Sequence, residues 1–273
     1  VIVFAAIAPH GDIAIEEACS PDELELGRAT REGMGELRRR FDAARPDATI
    51  LFTPHNAHVE RHFSVVVAAA LKGGLGDFLP GGAAELRLEC PVDRDLARDV
   101  LEALDDAGIP AVGVSFGGNV AEESIMPLDW GTFVPLWHLG GRTEPQVPVV
   151  VVSPARDRPP EEHVRAGAAI AAAARGRVAV VASADHGHAH SAEGPYGFDP
   201  AAADFDARIV ELVESGRLDR LLELDPGLVA DAKADSWWQL LLLAGAVGGH
   251  ATVELHSYEA PTYYGMLCAS ISF

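Results

Sequence analysis

Three stretches of this chain, Val1 to Ala8, Val147 to Val152 and Val178 to Ser183, are apolar almost without interruption and rich in β-branched residues. A sheet with one face in water would alternate apolar with polar side chains. An unbroken run instead demands cover on both faces. Shorter runs at Thr49 to Thr53, Ser64 to Ala70, Leu86 to Cys90, Ala111 to Phe116 and Ala251 to His256 complete the set of candidate strands. Amphipathic stretches lie between them, and Pro21 to Arg45, Asp93 to Ala107, Glu161 to Arg175, Ala201 to Ser215 and Ala232 to Ala246 read as helices. The alternation predicts an α/β fold, with a central mostly parallel or mixed β-sheet flanked by helices on both faces. Segments rich in Gly and Pro, Lys72 to Ala83, Gly140 to Pro148 and Ala189 to Pro200, read as loops because hydrophobic periodicity resumes on each side. The 273 residues are accordingly read as one domain.

A formal net charge of −20 makes phosphate backbones and anionic lipid poor partners, since both are bound through clustered Lys and Arg. Nucleic acid and membrane surfaces are therefore not expected partners. The longest apolar run, Gln239 to Val247, falls well short of the roughly 20 residues a membrane helix needs. Val1 to Ala8 lacks a preceding basic region and reads as a buried first strand rather than a signal peptide. Three cysteines, far apart and odd in number, fit neither a disulfide framework nor a thiolate zinc site. A reducing cytoplasm is the expected location.

Residues able to bind a metal or move a proton collect where the apolar runs end. His10 follows the first run and His55 the second, Asp185 to His190 follow Val178 to Ser183, and Glu259 follows the last. In open α/β sheets the crevice beyond the carboxyl ends of the strands is the usual ligand site, so these residues can converge. No G-x-S-x-G elbow, phosphate-binding loop or dinucleotide fingerprint occurs, which removes the main support for serine hydrolase and nucleotide-binding readings. His55, His58 and His62 have the spacing of one helical face, and for His58 and His62 a solvated face is the simpler reading. His138, His163 and His250 lie in or beside predicted helices and read as packed or solvated. The run His186, His188, His190 would put three imidazoles on one side of an extended strand, a geometry that could bind zinc, although Gly187 and the loop that follows argue for a turn.

Taken in order, Ala8-Pro9-His10, Leu51-Phe52-Thr53-Pro54-His55-Asn56, Leu128-Asp129-Trp130-Gly131-Thr132-Phe133-Val134-Pro135-Leu136, Ser183-Ala184-Asp185-His186-Gly187-His188 and Tyr258-Glu259 leading into Tyr264-Gly265-Met266 resemble the motifs of the LigB-like superfamily, which contains the class III extradiol ring-cleavage dioxygenases. The resemblance spans nearly the whole chain. It implies Fe(II) held by two histidines and a carboxylate at His10, His55 and Glu259, a face that leaves coordination positions open. Zinc or another divalent ion can replace iron in a purified sample, since ferrous iron is easily oxidised and lost. The resemblance further implies acid-base chemistry at His188, with Asp185 at the family's acidic position and His186 as the neighbour most easily confused with it. It implies a small aromatic substrate, a catechol or aminophenol, and O2 as partners. Homo-oligomers are common in such a family, and some members use a small accessory subunit.

One position departs from the pattern. Many members carry Asp-His-Gly where this chain has Asp129-Trp130-Gly131, and a Trp ring stacks or donates one N–H but relays no proton. Trp130, Tyr263 and Tyr264 are the candidate walls of a substrate pocket. Three readings follow: an extradiol dioxygenase, a zinc-dependent hydrolase built on His186 to His190, and a Memo-like metal-binding interaction protein without ring cleavage.

Overall fold

The computed structural model describes residues 1–77, 86–250 and 252–273, the His250 side chain excepted. The strands are β1 (Ile2–Ala8), β2 (Ala48–Phe52), β3 (Phe63–Val66), β4 (Ala70–Gly74), β5 (Arg87–Pro91), β6 (Ala111–Val114), β7 (Ile125–Pro127), β8 (Val149–Ser153), β9 (Val178–Ser183), β10 (Thr252–Glu259) and β11 (Met266–Ser272). The α-helices are α1 (Arg28–Ala44), α2 (Arg94–Asp106), α3 (Trp130–His138), α4 (Pro160–Ala173), α5 (Ala201–Glu214), α6 (Pro226–Asp231) and α7 (Trp237–Val247). Eight strands form the main sheet in the order β10-β11-β1-β9-β2-β8-β3-β6, and β5-β4-β7 form a small second sheet.

The centre of the main sheet, β1-β9-β2-β8, is parallel throughout, whereas β11 joins β1 and β3 joins β8 antiparallel. The sheet is therefore mixed, and its apolar runs separate by residue parity. Ile7, Ile50, Phe52, Val150 and Val180 pack against α2, α4, α5 and α7 on one face. Phe4, Ala6, Leu51, Val151 and Val181 pack against α1 and α3 on the other. Covered on both sides, each central strand has no solvent face on which polar residues would be needed. Helices α4 and α7 approach so closely that a Cβ on Gly167 would lie 1.9 Å from the Leu242 carbonyl oxygen, and one on Gly245 would lie 1.9 Å from that of Val164. A residue larger than glycine at either position forces the two helices apart.

The expected α/β architecture, with helices on both faces, is the one the chain adopts. Its details differ where packing overrides local pattern. Helix α1 begins at Arg28 because residues 21–27 turn, and α7 begins at Trp237 rather than Ala232. Helix α3 was not visible in the hydrophobic pattern: it contains Gly131, Thr132 and Pro135, poor helix formers, and is held by an Asp129 cap and by near-complete burial. Lys72 to Gly74 extend into β4 instead of opening a loop, while residues 78–83 of that expected loop lie outside the described residues, as does Ala251 at the start of the last expected strand. Among the described residues no helix is long and apolar enough to cross a membrane.

Candidate metal centre

Because β1, β9, β2 and β8 run parallel, their carboxyl ends share one edge of the sheet. His10 leaves β1 there, His55 leaves β2, Asp185, His186 and His188 leave β9, and Arg156 leaves β8. Above this edge lies a cavity of about 990 Å³ lined by His10, His55, Trp130, Asp185, His188, Tyr263 and Tyr264 among others. Asp235, from the turn between α6 and α7, closes over it.

His10, His55 and Asp235 bring one ligand atom each within 4.8 Å of one another. Asp235 Oδ2 lies 3.1 Å from His55 Nε2 and 3.5 Å from His10 Nε2, and the two Nε2 atoms are 3.1 Å apart. Donors bonded to one ion at about 2.0–2.1 Å and separated by 90–109° stand about 2.8–3.4 Å apart, and the observed 3.1–3.5 Å comes close to that spacing for a single metal ion. The protonation pattern fits as well. The Ser183 hydroxyl donates to the Gly131 carbonyl (2.5 Å), so the 3.0 Å contact between Ser183 Oγ and His10 Nδ1 must be a donation from the imidazole. His10 Nε2 then carries the lone pair, aimed at Asp235 and His55. Burial holds the His10 pKa down to about 4, against the opposing pull of Asp235. Burial alone would push Asp235 up, yet the neighbouring His10 and His55 hold its carboxyl well below the usual range. A neutral imidazole beside an ionised carboxylate is the state a divalent ion requires. Asp235 Oδ1 is buried with no hydrogen-bond partner among the described residues, a polar atom that a cation would satisfy.

Glu259, the carboxylate expected beside the two histidines, does not stand in this group. It ends β10, two strands out from β1 in the sheet, and its Oε1 accepts the Thr30 backbone N–H at 2.6 Å beside α1. Asp235 is the carboxylate that stands beside His10 and His55. In sequence it stands in Ala234-Asp235-Ser236 just before an apolar helix, where an acidic residue reads as a helix-start signal. The expected helix Ala232 to Ala246 hid it further by placing it within a helix.

His55 is set by the start of α3. Asp129 accepts from Thr132 N (3.0 Å), Thr132 Oγ1 (2.7 Å) and Asn56 Nδ2 (2.7 Å), tying the loop that carries His55 to the helix. A Cβ at Gly131 would fall 2.6 Å from Thr53 Oγ1 and 3.0 Å from His55 Cδ2, so only glycine allows this approach. The Trp130 ring lies 4.3 Å from the His55 ring, tilted by 32°.

The histidines after β9 part company, because the chain bends at His188 instead of staying extended. His186 is buried, with Nδ1 3.0 Å from Ser236 Oγ, and does not line the cavity. His190 donates from Nε2 to Asp206 (2.8 Å), which also accepts from Gly187 N (2.7 Å) and Tyr258 OH (2.7 Å). His188 faces the cavity. Its Nδ1 donates to the His186 carbonyl oxygen at 2.8 Å, which leaves Nε2 as an acceptor, and its ring stacks on Tyr264 at 5.6 Å. These three side chains therefore form no common metal site, and the hydrolase reading loses its ligands. Asp185 accepts the His10 backbone N–H at 2.9 Å, and burial, then the nearby Asp235 charge, raises its carboxyl well above the usual range. Away from the cavity, His58 is exposed and His62 Nδ1 meets the Glu60 carbonyl at 2.8 Å in a loop, not on a helix. His138 and His163 are packed against backbone carbonyls at 3.1 Å, and the His250 side chain lies outside the description.

With this geometry in hand, comparison with known proteins is decisive at the level of family. The model of the catalytic LigB subunit of aromatic ring-opening dioxygenases matches residues 5–270. The chain belongs to that family. A Clostridium acetobutylicum protein called CA_C1420 is 22% identical over 257 residues, covering 93% of this chain. The match takes in 54% of that protein, so the chain spans about half the length of this curated relative. The crystal structure of an uncharacterized protein, JW3007 from Escherichia coli K12, superposes with a TM-score of 0.60 at 18% identity, covering 98% of this chain and 99% of the other. That likeness concerns the fold alone.

Proposed function

We propose that this chain is a non-haem Fe(II)-dependent extradiol dioxygenase that opens the ring of a catechol or aminophenol with O2. The observation that carries this reading is the convergence of His10, His55 and Asp235 beside His188 on one aromatic-walled cavity. When bound, Fe(II) would supply open coordination positions at which substrate and O2 meet and electrons pass between them.

The protein's own contribution follows from its side chains. His188, with Nδ1 engaged by the His186 carbonyl, accepts a proton at Nε2 from a substrate hydroxyl and can return it later. Tyr264 fixes the His188 ring by stacking, and Asp206 anchors the surrounding turn through Gly187 and His190. Asp185 and Ser183 are positioning residues, since both act through His10. Trp130, Tyr263 and Tyr264 offer flat faces to an aromatic ring and exclude water from it.

The test is oxygen consumption by protein reconstituted anaerobically with Fe(II), against substituted catechols and 2-aminophenols, while monitoring a yellow ring-opened product. Uptake that vanishes in His10→Ala and Asp235→Ala supports the reading. Stoichiometric iron binding with no uptake across the panel would instead favour the Memo-like, non-catalytic reading.

A further inference from the structure

Among the described residues four strands stand at sheet edges: β10 and β6 end the main sheet, and β5 and β7 end the small one. An open edge presents unpaired backbone N–H and C=O groups, and charged side chains or proline keep further strands from adding to it. Three of these edges are guarded in that way. Strand β10 carries Glu254, held by Arg40 at 2.9 Å. Strand β5 carries Arg87 and Glu89, paired with Asp77 and Lys72, and β7 ends on Pro127. Strand β6, Ala111-Val112-Gly113-Val114, has neither a charge nor a proline.

The ladder defines which groups of β6 are open. Phe63 N donates to the Pro110 carbonyl and Val67 N to the Val114 carbonyl, each at 2.9 Å. Even-numbered residues of β6 therefore face β3, and Ala111 and Gly113 turn their N–H and C=O groups outward. The neighbourhood is apolar as well as open. Phe116 is 67% exposed, Val120 51% and Ile125 40%, and Ile125 N donates to the Phe116 carbonyl at 2.9 Å, which holds the two ends of this segment together beside β6. Residues 107–121 contain no Asp, Glu, Lys or Arg, although charged residues make up 23% of the chain.

That absence of charge selects the partner. With a formal net charge of −20, a basic partner is drawn to the carboxylates elsewhere on the surface, and two copies of this chain repel wherever charged faces meet. Only an uncharged face lets two copies approach, and this one matches itself. Two β6 edges related by a two-fold axis at Gly113 run antiparallel, with Gly113 opposite its own counterpart and no charge between the strands. We infer that β6 is a self-association edge, through which two copies of the chain pair by Ala111 and Gly113, cover Phe116 and continue one main sheet into the next. The edge is short beside the roughly 1,200–2,000 Å² of a stable interface, so the dimer forms with a Kd of about 1–100 μM. Since β6 is parallel to β3, and β3 antiparallel to β8, Phe116 follows β6 at the side of the sheet opposite the metal-facing edge. None of these residues lines the cavity, so pairing leaves it open.

The experiment is analytical ultracentrifugation of the whole chain at about 0.05 M and about 0.5 M NaCl. A monomer–dimer equilibrium is expected that tightens by about threefold or more at the higher salt, because screening weakens the repulsion between two acidic copies; an interface built on ion pairs would loosen instead. Phe116→Asp, which adds a like charge at an exposed position, should weaken the dimer by about tenfold or more and leave Zn(II) affinity unchanged. Amide hydrogen exchange in wild type needs no variant. The outward Gly113 N–H should slow by about tenfold as protein concentration rises well above Kd, while the Val112 N–H, turned toward β3, stays the same. A dimer that loosens with salt, a dimer indifferent to Phe116→Asp, or Gly113 exchange independent of concentration would each overturn the self-pairing. A monomer up to about 200 μM at both salt concentrations would overturn it too, and would leave the edge to a different chain.

Discussion

Replacing Ser183 with alanine isolates the step by which the fold prepares His10 for a metal. The substitution removes the 3.0 Å contact to Nδ1, together with the Ser183 donation to the Gly131 carbonyl, without replacing a proposed ligand. His10 is 1% exposed, so water cannot take over the lost acceptor. The Nδ1–H is left unsatisfied, and the alternative tautomer, with its proton on Nε2, is no longer disfavoured. Loss of such a partner to a metal-binding histidine typically costs 10- to 100-fold in metal affinity, about 1.4–2.7 kcal/mol. Titration of Zn(II) or Co(II) into apoprotein against a chromophoric chelator measures this directly. Thermal unfolding of the metal-free variant reports separately on general damage from the now unpaired Gly131 carbonyl. An affinity within threefold of wild type would refute the tautomer argument, because then the Ser183 contact would not set the state of the His10 ring.

Three further outcomes are expected. Asp235→Asn should weaken metal binding at least 100-fold, whereas Glu259→Ala should leave it nearly intact and instead cost about 1–2 kcal/mol in urea unfolding through the orphaned Thr30 N–H; the reverse pattern would restore Glu259 as ligand. His188→Ala should retain one metal per chain while oxygen uptake falls by about 10²–10⁴, and unchanged uptake would remove His188 from the proton-transfer role. The metal-free protein should lose stability as pH falls from about 6.5 toward 4, because burial holds His138 and His163 down to about 4 while the unfolded chain takes up protons near 6.5. Their stabilising contribution is thus complete above about 6.5 and lost on acidification. His163→Gln should flatten that slope by up to about one proton in urea unfolding measured across the range, and an unaltered slope would show that His163 titrates normally in the fold.

The sequence by itself determined what each stretch must be surrounded by. Continuous apolar runs can only be strands covered on both faces, and polar residues placed directly after them can only stand at a strand end. His10, His55 and His188 were legible for that reason, and the family resemblance rested on the same segments. Periodicity carries no signal for elements stabilised by their neighbours. Strand β11 takes its place between β1 and β10, and α3 survives Pro135 only because Asp129 caps it and the core encloses it. Which carboxylate stands with His10 and His55 was decided by tertiary structure alone. Glu259 and Asp235 are both carboxylates near aromatic residues, but a metal selects donors by separations of a few ångströms, and these depend on how whole elements pack. The backbone of Thr30 engages Glu259, while the turn before α7 carries Asp235 over the strand ends. The same packing separates His186, His188 and His190, which look equivalent along the chain: each ring takes the partner the fold presents, Ser236, the cavity and Asp206.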